Sequence, residues 1–382
     1  MKFPSVETLK DRGTRKWTVY GEDVLPLWIA ESDFPTAPPV LEAIRRHVET
    51  EGLGYTPSPK VSGLSPALSE FYAEHFGWRP DPTRVMWIGD VVRGLLLGAQ
   101  YFTREDSALI VPVPSYPPLL ELAKTAGREM IQVDVSAGFT DSVLDEIERA
   151  FAAGAGALVL ANPYNPLGLV LEEDTLRRLV EIAARHDGRI LSDEIHAPLV
   201  FDGRHTPVAS LGEDGAKVAY TVTSTSKAWN VAGLKCAQVI LSNPADVQTW
   251  NNLTGVAKDG TGTLGVFAAE ACWSQGADFL AEEVEYLRAN RDWLCEVLPQ
   301  KIPGIKTTCP QATYLMWLDF RETAIPEQAK EHPAKWLTEH AKVALNEGVS
   351  FGPGGAGHAR LNFATSREIL EEAVDRLAQA IG

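Results

Sequence analysis

The stretch "VAYTVTSTSKAWNVAGLK", residues 218–235, joins an apolar run to a burst of small hydroxyl residues and one lysine, Lys227. An apolar run of this length, bounded by polar residues, predicts a buried strand. Ser224, Thr225 and Ser226 then precede Lys227 at the point where that strand ends. Lys227 is either a surface lysine at a turn or an amine retained for chemistry, and the rest of the sequence decides between the two.

Four other short apolar runs resemble this one, and longer amphipathic segments separate them. Between two of the runs, residues 172–188 predict a helix whose apolar side chains share one face and which ends at Gly188. Strands separated in this way and apolar on both faces indicate a mostly parallel sheet covered by helices, with ligands bound at the carboxyl ends of the strands. The four runs are "SALIVPVP" (107–114), "GALVLANP" (156–163), "GRILSDE" (188–194) and "AQVILS" (237–242).

The two ends of the chain follow a different pattern and predict a smaller α+β domain. A helix is expected at 39–51, a long helix from about 276, two or three strands including "TYLMWLDF" (313–320), and a last helix at 366–381. A capping box from Thr365 to Glu368 is expected to open that last helix. We therefore predict that residues 1–50 belong to the small domain, 51–275 form the large α/β domain, and 276–382 complete the small domain.

Composition excludes several classes of function. The net charge of −16 disfavours binding to nucleic acid or anionic lipid. The sequence has neither a run of about 20 apolar residues nor an apolar N-terminal leader, which predicts a cytoplasmic protein without a membrane partner. The eight histidines show no ligand spacing such as HExxH, so no metal is expected. The four cysteines (Cys236, Cys272, Cys295 and Cys309) form no CxxC pair, and we interpret them as reduced thiols.

Three polar residues, Asn165, Asp193 and Lys227, each follow or end a predicted strand. An amine beside a carboxylate suits pyridoxal phosphate (PLP), which is held by a lysine and needs a carboxylate on its ring nitrogen, donors for its phosphate and a stacking partner. Ser224, Ser226 and Lys235 could supply the phosphate donors. Taken singly, each residue also fits a non-catalytic role. Lys227 could be a surface lysine, Asp193 a turn or cap residue at a strand end, and Asn165 part of the Pro/Asn/Gly turn "NPYNPLG" (162–168). Their joint order favours the cofactor.

The motifs around these residues resemble those of one family across nearly the whole chain. The chain is similar to the fold-type I PLP enzymes of the aminotransferase class I/II superfamily, and most similar to cystathionine β-lyases (cysteine-S-conjugate β-lyases) of the MalY/PatB type. That resemblance implies an aspartate-aminotransferase-like α/β fold. The matching segments are "LPLWIAESDFPTAPPV", "GYTPS", "VPSYPPLL", "ANPYNPLG", "SDEIHAPLVF", "SKAWNVAGLK", "ATYLMWLDF" and "ARLNFATS".

The resemblance assigns roles to residues by position. Lys227 would bind the cofactor covalently and later carry the substrate's Cα proton, and Asp193 would pair with the ring nitrogen. Asn165, with His196 close behind it, would bind the phenolic oxygen, and Tyr116 would stack on the ring. The phosphate would be held by Val91 and Val92 through their backbone amides, by Ser224, Ser226 and Lys235, and by Tyr55 of a neighbouring subunit, which implies a homodimer with shared sites. Arg360 would bind the substrate carboxylate, with Asn165 and Tyr55 also near the substrate.

Three features of the site region need separate interpretation. Leu167 stands where the superfamily has threonine, and Asp90 replaces a common glycine in the phosphate-facing turn, so its side chain is expected to point away or to cap the next helix. "FGPGGAG" (351–357) lacks the Lys-Ser/Thr ending of a P-loop and is interpreted as a mobile loop that presents His358 and Arg360. Without the family, Arg360 could equally form a salt bridge at a helix entry.

The resemblance implies α,β-elimination of cystathionine and other cysteine S-conjugates to a thiol, pyruvate and ammonia. The residues alone predict only a PLP enzyme that acts on an amino acid, so an aminotransferase remains the alternative. A non-catalytic ligand-binding protein on the same fold is the third hypothesis, and it is disfavoured because both the lysine and the arginine are present.

Overall fold

The computed structural model describes residues 3–382, and a seven-stranded sheet forms its centre. The strand order is β2-β8-β7-β6-β5-β3-β4. Six of these strands run in the same direction, and the seventh, β8, is antiparallel to both of its neighbours, β2 and β7. The strands are β1 (Leu25–Pro26), β2 (Val85–Ile88), β3 (Leu109–Val113), β4 (Met130–Asp134), β5 (Ala157–Ala161), β6 (Arg189–Asp193), β7 (Ala219–Thr223), β8 (Ala237–Ile240), β9 (Lys306–Thr307), β10 (Leu315–Asp319), β11 (Val343–Ala344), β12 (Asn346–Glu347) and β13 (His358–Asn362).

Helices cover both faces of this sheet, which confirms the predicted α/β class. The five predicted central strands correspond to β3, β5, β6, β7 and β8. Nearly all of their residues are buried, because helices pack on each side. The helices are α1 (Val6–Asp11), α2 (Arg15–Thr18), α3 (Pro38–Glu49), α4 (Leu64–Phe76), α5 (Val91–Tyr101), α6 (Pro117–Ala126), α7 (Asp141–Ala152), α8 (Glu173–Arg185), α9 (Gly212–Val218), α10 (Pro244–Asn252), α11 (Gly255–Lys258), α12 (Thr263–Gln275), α13 (Ala277–Lys301), α14 (Pro333–His340) and α15 (Arg367–Ile381).

A second sheet of four strands, ordered β12-β13-β10-β9, lies in the C-terminal part of the chain. The helices α13 and α15 pack together beside it. The N-terminal segment is tied to this region because β1 pairs in parallel with β11, with Leu25 opposite Val343. The predicted division into 1–50, 51–275 and 276–382 stays a prediction, but this strand pair is the kind of contact that it requires.

The last helix begins one residue later than the predicted capping box. Ser366, not Thr365, is the N-cap of α15, and its hydroxyl accepts a hydrogen bond from the Ile369 N–H. Thr365 is fully buried and its hydroxyl has no partner. The prediction was wrong because both residues are suitable cap types and only the backbone decides which one lies at the helix entry.

The prediction of four reduced thiols is wrong for two of them. Cys295 in α13 and Cys309 after β9 form a disulfide, whereas Cys236 and Cys272 are free and buried. Cysteines 14 residues apart carry no pairing signal in the sequence, and they meet because the chain turns back after α13. Within residues 3–382, no helix is long and apolar enough to cross a membrane and no cluster of side chains could hold a metal ion.

Candidate active site

The carboxyl ends of β5, β6 and β7 open into one cavity of about 400 Å³, and it contains most of the predicted site residues. Asn165, Asp193 and Lys227 all line it, so the structure brings together the three residues that the sequence placed at strand ends. Parallel strands deliver their carboxyl ends to the same edge of a sheet, which explains the meeting. The other lining residues are Ala30, Gly89, Asp90, Val91, Val92, Tyr116, Pro118, Ala161, Ile195, His196, Ser226, Ala232, Lys235 and Cys236.

The Lys227 amine is held at the cavity wall by a backbone group. Its Nζ donates a hydrogen bond to the Ala30 carbonyl oxygen at 2.8 Å. Burial and, after it, the Arg360 charge lower the pKa of Lys227 to about 8, although the Asp193 and Glu31 charges oppose that shift. A lysine in this state supplies the free amine, and therefore a nucleophile, at a pH close to neutral.

The Asp193 carboxyl is buried with few groups to satisfy it. It is 7 % exposed, and its Oδ1 accepts one hydrogen bond, from the Ile195 N–H at 3.1 Å. Burial raises the pKa of Asp193 to about 7, although the Ile195 N–H and the Lys227 charge favour the ionised form. A cationic N–H donor placed in the cavity would therefore stabilise the carboxylate and complete its hydrogen bonding.

Arg360 lies directly behind the cavity and reaches it through Asn165. It is 1 % exposed, and its Nη1 donates to Asn165 Oδ1 at 3.0 Å while its Nη2 donates to the Trp28 carbonyl oxygen at 3.3 Å. Its Nε has no partner, and the Phe351 ring lies 4.9 Å from the guanidinium carbon. Burial lowers the pKa of Arg360 to about 10. No carboxylate pairs with it, so the predicted anion-binding role fits, and the alternative of a structural salt bridge does not.

His196 and Tyr116 both line the cavity. Burial, together with the Lys227 and Arg360 charges, lowers the pKa of His196 to about 3, so its ring is neutral and its buried Nδ1 has no partner. Tyr116 is the N-cap of α6, and burial raises the pKa of its phenol. Both side chains can therefore contact a bound ring without adding charge.

The predicted phosphate end lies at the start of α5. Val91 and Val92 begin this helix, and N–H groups of a first turn have no partner within the helix. Asp90 is the N-cap, with Oδ1 accepting from the Arg93 N–H at 2.9 Å, as the sequence predicted for a side chain in this turn. Its other oxygen pairs with Lys235 Nζ at 2.9 Å. Lys235 is thus close to this turn, and its charge is shared with a carboxylate.

The two predicted serines differ in their surroundings. Ser226 lines the cavity and donates a hydrogen bond to Ser224 Oγ at 2.8 Å. Ser224 is 1 % exposed, does not line the cavity, and donates to the Cys236 carbonyl oxygen at 2.8 Å. The geometry therefore supports Ser226 as the donor to a bound phosphate and Ser224 as the residue that orients it.

Three further predicted positions lie away from the cavity of the single chain. Tyr55 is fully exposed, so any role at a site requires a second copy. His358 stacks on Trp317 with the two ring centroids 5.2 Å apart and does not line the cavity, and Arg360 lies on β13 behind the cavity, so the loop itself brings neither side chain into it. Leu167 is buried at 4 % exposure, and its apolar side chain packs in the core instead of adding a hydroxyl to the site.

The sequence did not predict a role for the N-terminal segment, which supplies two carbonyl groups to the site. The Ala30 oxygen accepts from Lys227 and also from Tyr314 Oη at 3.0 Å, and the Trp28 oxygen accepts from Arg360. The segment lies within "LPLWIAESDFPTAPPV", which carried part of the family resemblance. That motif was therefore the available signal, but backbone acceptors have no residue type that marks them.

The donors and acceptors in the cavity fit PLP. Lys227 offers an amine of lowered pKa, Asp193 offers a buried carboxylate without a cationic hydrogen-bond donor, and a helix N-terminus with Ser226 offers phosphate donors. The unpartnered His196 Nδ1 and Arg360 Nε are polar groups that a ligand in or beside the cavity would satisfy.

Comparison with known proteins gives one consistent family. The model of the aminotransferase class I and II family matches residues 22–377. The chain is 50 % identical over 381 residues to a cystathionine β-lyase of Corynebacterium glutamicum and 28 % identical over 394 residues to the cystathionine β-lyase PatB of Bacillus subtilis, with 100 % of each chain covered in both cases. A crystal structure from Corynebacterium diphtheriae, provisionally assigned as a PLP-dependent β-cystathionase, has a TM-score of 0.96 and 51 % identity, covering 100 % of this chain and 99 % of that one.

Proposed function

The chain belongs to the aminotransferase class I and II family, and from that premise we propose that it is a PLP-dependent carbon–sulfur β-lyase. It converts L-cystathionine and water to homocysteine, pyruvate and ammonia, and other cysteine S-conjugates to the corresponding thiols. The observation that carries the choice of reaction is the 50 % identity, over the whole chain, to the cystathionine β-lyase of Corynebacterium glutamicum. The geometry alone supports a PLP enzyme that binds an amino acid.

The site residues divide the work of elimination. When bound, PLP supplies an electron sink that stabilises the negative charge left on Cα once its proton is removed. Asp193 would keep the ring nitrogen protonated. Its carboxylate is buried and accepts a hydrogen bond only from the uncharged Ile195 N–H among the described residues, so a protonated ring nitrogen would be a favourable partner for it. Lys227 holds the cofactor until substrate arrives, and its freed amine then takes the Cα proton. With a pKa near 8 in the unliganded protein, that amine is a suitable base near neutral pH.

The remaining residues orient the substrate and the ring. Arg360 would bind the α-carboxylate, a role that its unpartnered Nε and its contact with Asn165 at the cavity wall support. Asn165 and neutral His196 would hydrogen-bond the cofactor's phenolic oxygen, and Tyr116 would stack on its ring. The sulfur then leaves Cβ with the electron pair of the broken C–S bond and takes up a proton to become a thiol.

The test uses purified protein, L-cystathionine and no keto acid. A β-lyase releases pyruvate and free thiol in equal amounts, which a coupled lactate dehydrogenase assay and a thiol reagent measure separately. Activity that arises only after a keto acid is added, with no thiol released, would assign the protein as an aminotransferase instead. A panel of cysteine S-conjugates in the same assay then ranks the leaving groups.

We further propose that the enzyme is a cytoplasmic homodimer in which Tyr55 reaches the phosphate in the partner's site. Full exposure of this tyrosine and its absence from the cavity of its own chain support the proposal. A cytoplasmic location is compatible with the two free, buried cysteines, and the Cys295–Cys309 disulfide is the feature that argues against it.

A further inference from the structure

Residues 28–33, which we call the strap, run past the cavity and contact Lys227 and Arg360 through backbone groups. The Ala30 oxygen accepts from Lys227 Nζ at 2.8 Å. The Trp28 oxygen accepts from Arg360 Nη2 at 3.3 Å. A shift of the strap would therefore alter the surroundings of the cofactor-binding amine and of the substrate-binding guanidinium together.

Side chains from other parts of the chain hold the strap along its length. Asn230 brackets Ser32, accepting from its N–H at 3.1 Å and donating to its carbonyl oxygen at 2.9 Å. Asn362 Nδ2 donates to the carbonyl oxygens of Ile29 at 2.6 Å and Glu31 at 2.7 Å. Residues 28–33 pair in no strand ladder, so these side-chain contacts, together with the bond from the Asp33 N–H to the Ala364 carbonyl oxygen at 2.9 Å, hold the path of the strap.

A buried ion pair holds the end of the strap. Lys16 Nζ lies 2.7 Å from Asp33 Oδ2, and the two side chains are 0 % and 2 % exposed. Trp17 Nε1 donates to the other carboxylate oxygen at 2.7 Å. Lys16 also meets the start of the strap, since its carbonyl oxygen accepts from Trp28 Nε1 at 3.3 Å. The pair therefore connects the two ends of the strap to α2.

Stability is a poor reason for such a pair. Removing two charges from water costs free energy that their attraction seldom exceeds, and apolar replacements are often neutral or stabilising. What the pair does provide is a fixed geometry, because both oxygens of Asp33 have specific donors. Catalytic groups have to be held within about 0.5 Å of their productive positions, and fixed donors of this kind hold the segment that contacts them.

We propose that Lys16 and Asp33 are positioning residues, which set the strap against Lys227 and Arg360. Neither residue touches the cavity, and each acts through the Ala30 and Trp28 carbonyl groups. The kinetic part of this inference rests on the proposed β-lyase function. The part that concerns Lys227 does not, because it can be measured without substrate.

The test compares the Asp33→Asn full-length enzyme with wild type and with Asp375→Asn, which removes the carboxylate of an exposed ion pair between Lys301 of α13 and Asp375 of α15. We expect KM for cystathionine to rise about tenfold or more in Asp33→Asn with a smaller change in kcat, since a charged hydrogen bond to Arg360 is weakened. The Asp375→Asn enzyme should match wild type.

The second measurement is the rate at which cofactor-free protein recombines with PLP, followed by absorbance across pH 6–10. Burial is the largest cause of the lowered pKa of Lys227, so a loosened strap that admits water should move the midpoint of this profile to higher pH. A purely structural loss would lower the melting temperature without moving the midpoint.

Folded Asp33→Asn protein with wild-type KM and an unchanged midpoint would overturn the inference. If Asp33→Asn does not fold, Trp17→Phe takes its place, because it removes one bond to Asp33 and leaves the ion pair intact. Trp17→Phe should raise KM and the midpoint of the pH profile as Asp33→Asn does, but by smaller amounts. A shifted midpoint in a protein that releases no thiol would support the strap and reject the β-lyase proposal.

Discussion

At the scale of single residues, burial brings the pKa values of Lys227 and Asp193 close to each other. The same loss of water that lowers the pKa of the amine to about 8 raises the pKa of the carboxyl to about 7, because burial penalises the charged form of each. Both groups therefore change charge close to neutral pH in the protein without ligand. A cofactor that binds the amine covalently and gives the carboxylate a cationic N–H would resolve both effects together.

The two lysines of the stretch 218–235 are predicted to have separable roles. Lys227→Ala should abolish pyruvate release and leave no borohydride-reducible PLP adduct, because the buried amine that lines the cavity is removed. Lys235→Ala should retain that adduct and bind PLP about tenfold more weakly, as expected for one exposed charge near a phosphate. Mass spectrometry of the reduced peptides and equilibrium dialysis measure the two outcomes, and an adduct on Lys227→Ala protein would contradict the assignment.

Asp193 is predicted to lower the stability of the cofactor-free protein at neutral pH. Its folded pKa, about 7, exceeds its usual value of 3.8, so between these values the folded state binds more protons than the unfolded chain. The free energy of unfolding therefore falls as pH rises through this window. Asp193→Asn should unfold with a free energy about 2–4 kcal/mol higher than wild type at pH 8.

The gain from Asp193→Asn should be largely lost near pH 4, because the folded wild-type carboxyl is protonated there and the unfolded one, with its usual pKa of 3.8, is about half protonated. Urea denaturation of cofactor-free protein at the two pH values measures it, with Asp375→Asn as the exposed control of the same chemistry. A gain of equal size at both pH values would mean that the cause is not the ionisation of Asp193. The same variant should lose lyase activity, because the ring nitrogen would lack its carboxylate.

At the scale of elements, the central strands were predictable and the edges of the sheet were not. The strands β3, β5, β6 and β7 are apolar on both faces, a pattern that a sequence shows directly. The missed strands, β2 and β4, are the two edges of the sheet. In β4 three of five residues are exposed, so its apolar pattern is weak.

The site divides in a similar way between side chains and backbone. Asn165, Asp193 and Lys227 were predictable because strand ends and residue types together mark them. The carbonyl groups of Trp28 and Ala30 were not, because every residue carries a carbonyl and only tertiary structure aims it. The distinction between Ser224 and Ser226 also depends on which hydroxyl faces the cavity, and a two-residue spacing does not determine this.

The corrected start of α15 gives a prediction for a matched pair of variants. Ser366→Ala should lower the free energy of unfolding by about 1 kcal/mol, because the Ile369 N–H loses its cap. Thr365→Val should leave it unchanged or raise it by about 1 kcal/mol, since the buried Thr365 hydroxyl has no partner. Denaturant titration of both variants measures the difference, and the reverse order would restore Thr365 as the cap.

At the scale of the whole molecule, the exposed apolar residues concentrate in one part of the N-terminal region. Large apolar side chains between residues 41 and 61 face solvent in the single chain: Leu41, Val48, Leu53, Tyr55 and Val61. A cleft of about 640 Å³ between α3 and α12 lies beside Leu41. Apolar surface gathered in this way is typical of a region covered by another molecule, which agrees with the proposed homodimer.

Shared active sites can be tested by complementation between two defective subunits. Lys227→Ala and Tyr55→Ala homodimers should each be impaired, the first through the lost amine and the second through weaker phosphate binding. A hybrid dimer with one subunit of each type contains one site with both native residues, provided that Tyr55 acts across the interface. Co-expression with two different affinity tags isolates this hybrid, and its kcat per dimer should be about half that of wild type. Activity no higher than that of the Tyr55→Ala homodimer would mean that Tyr55 does not complete the site of its partner.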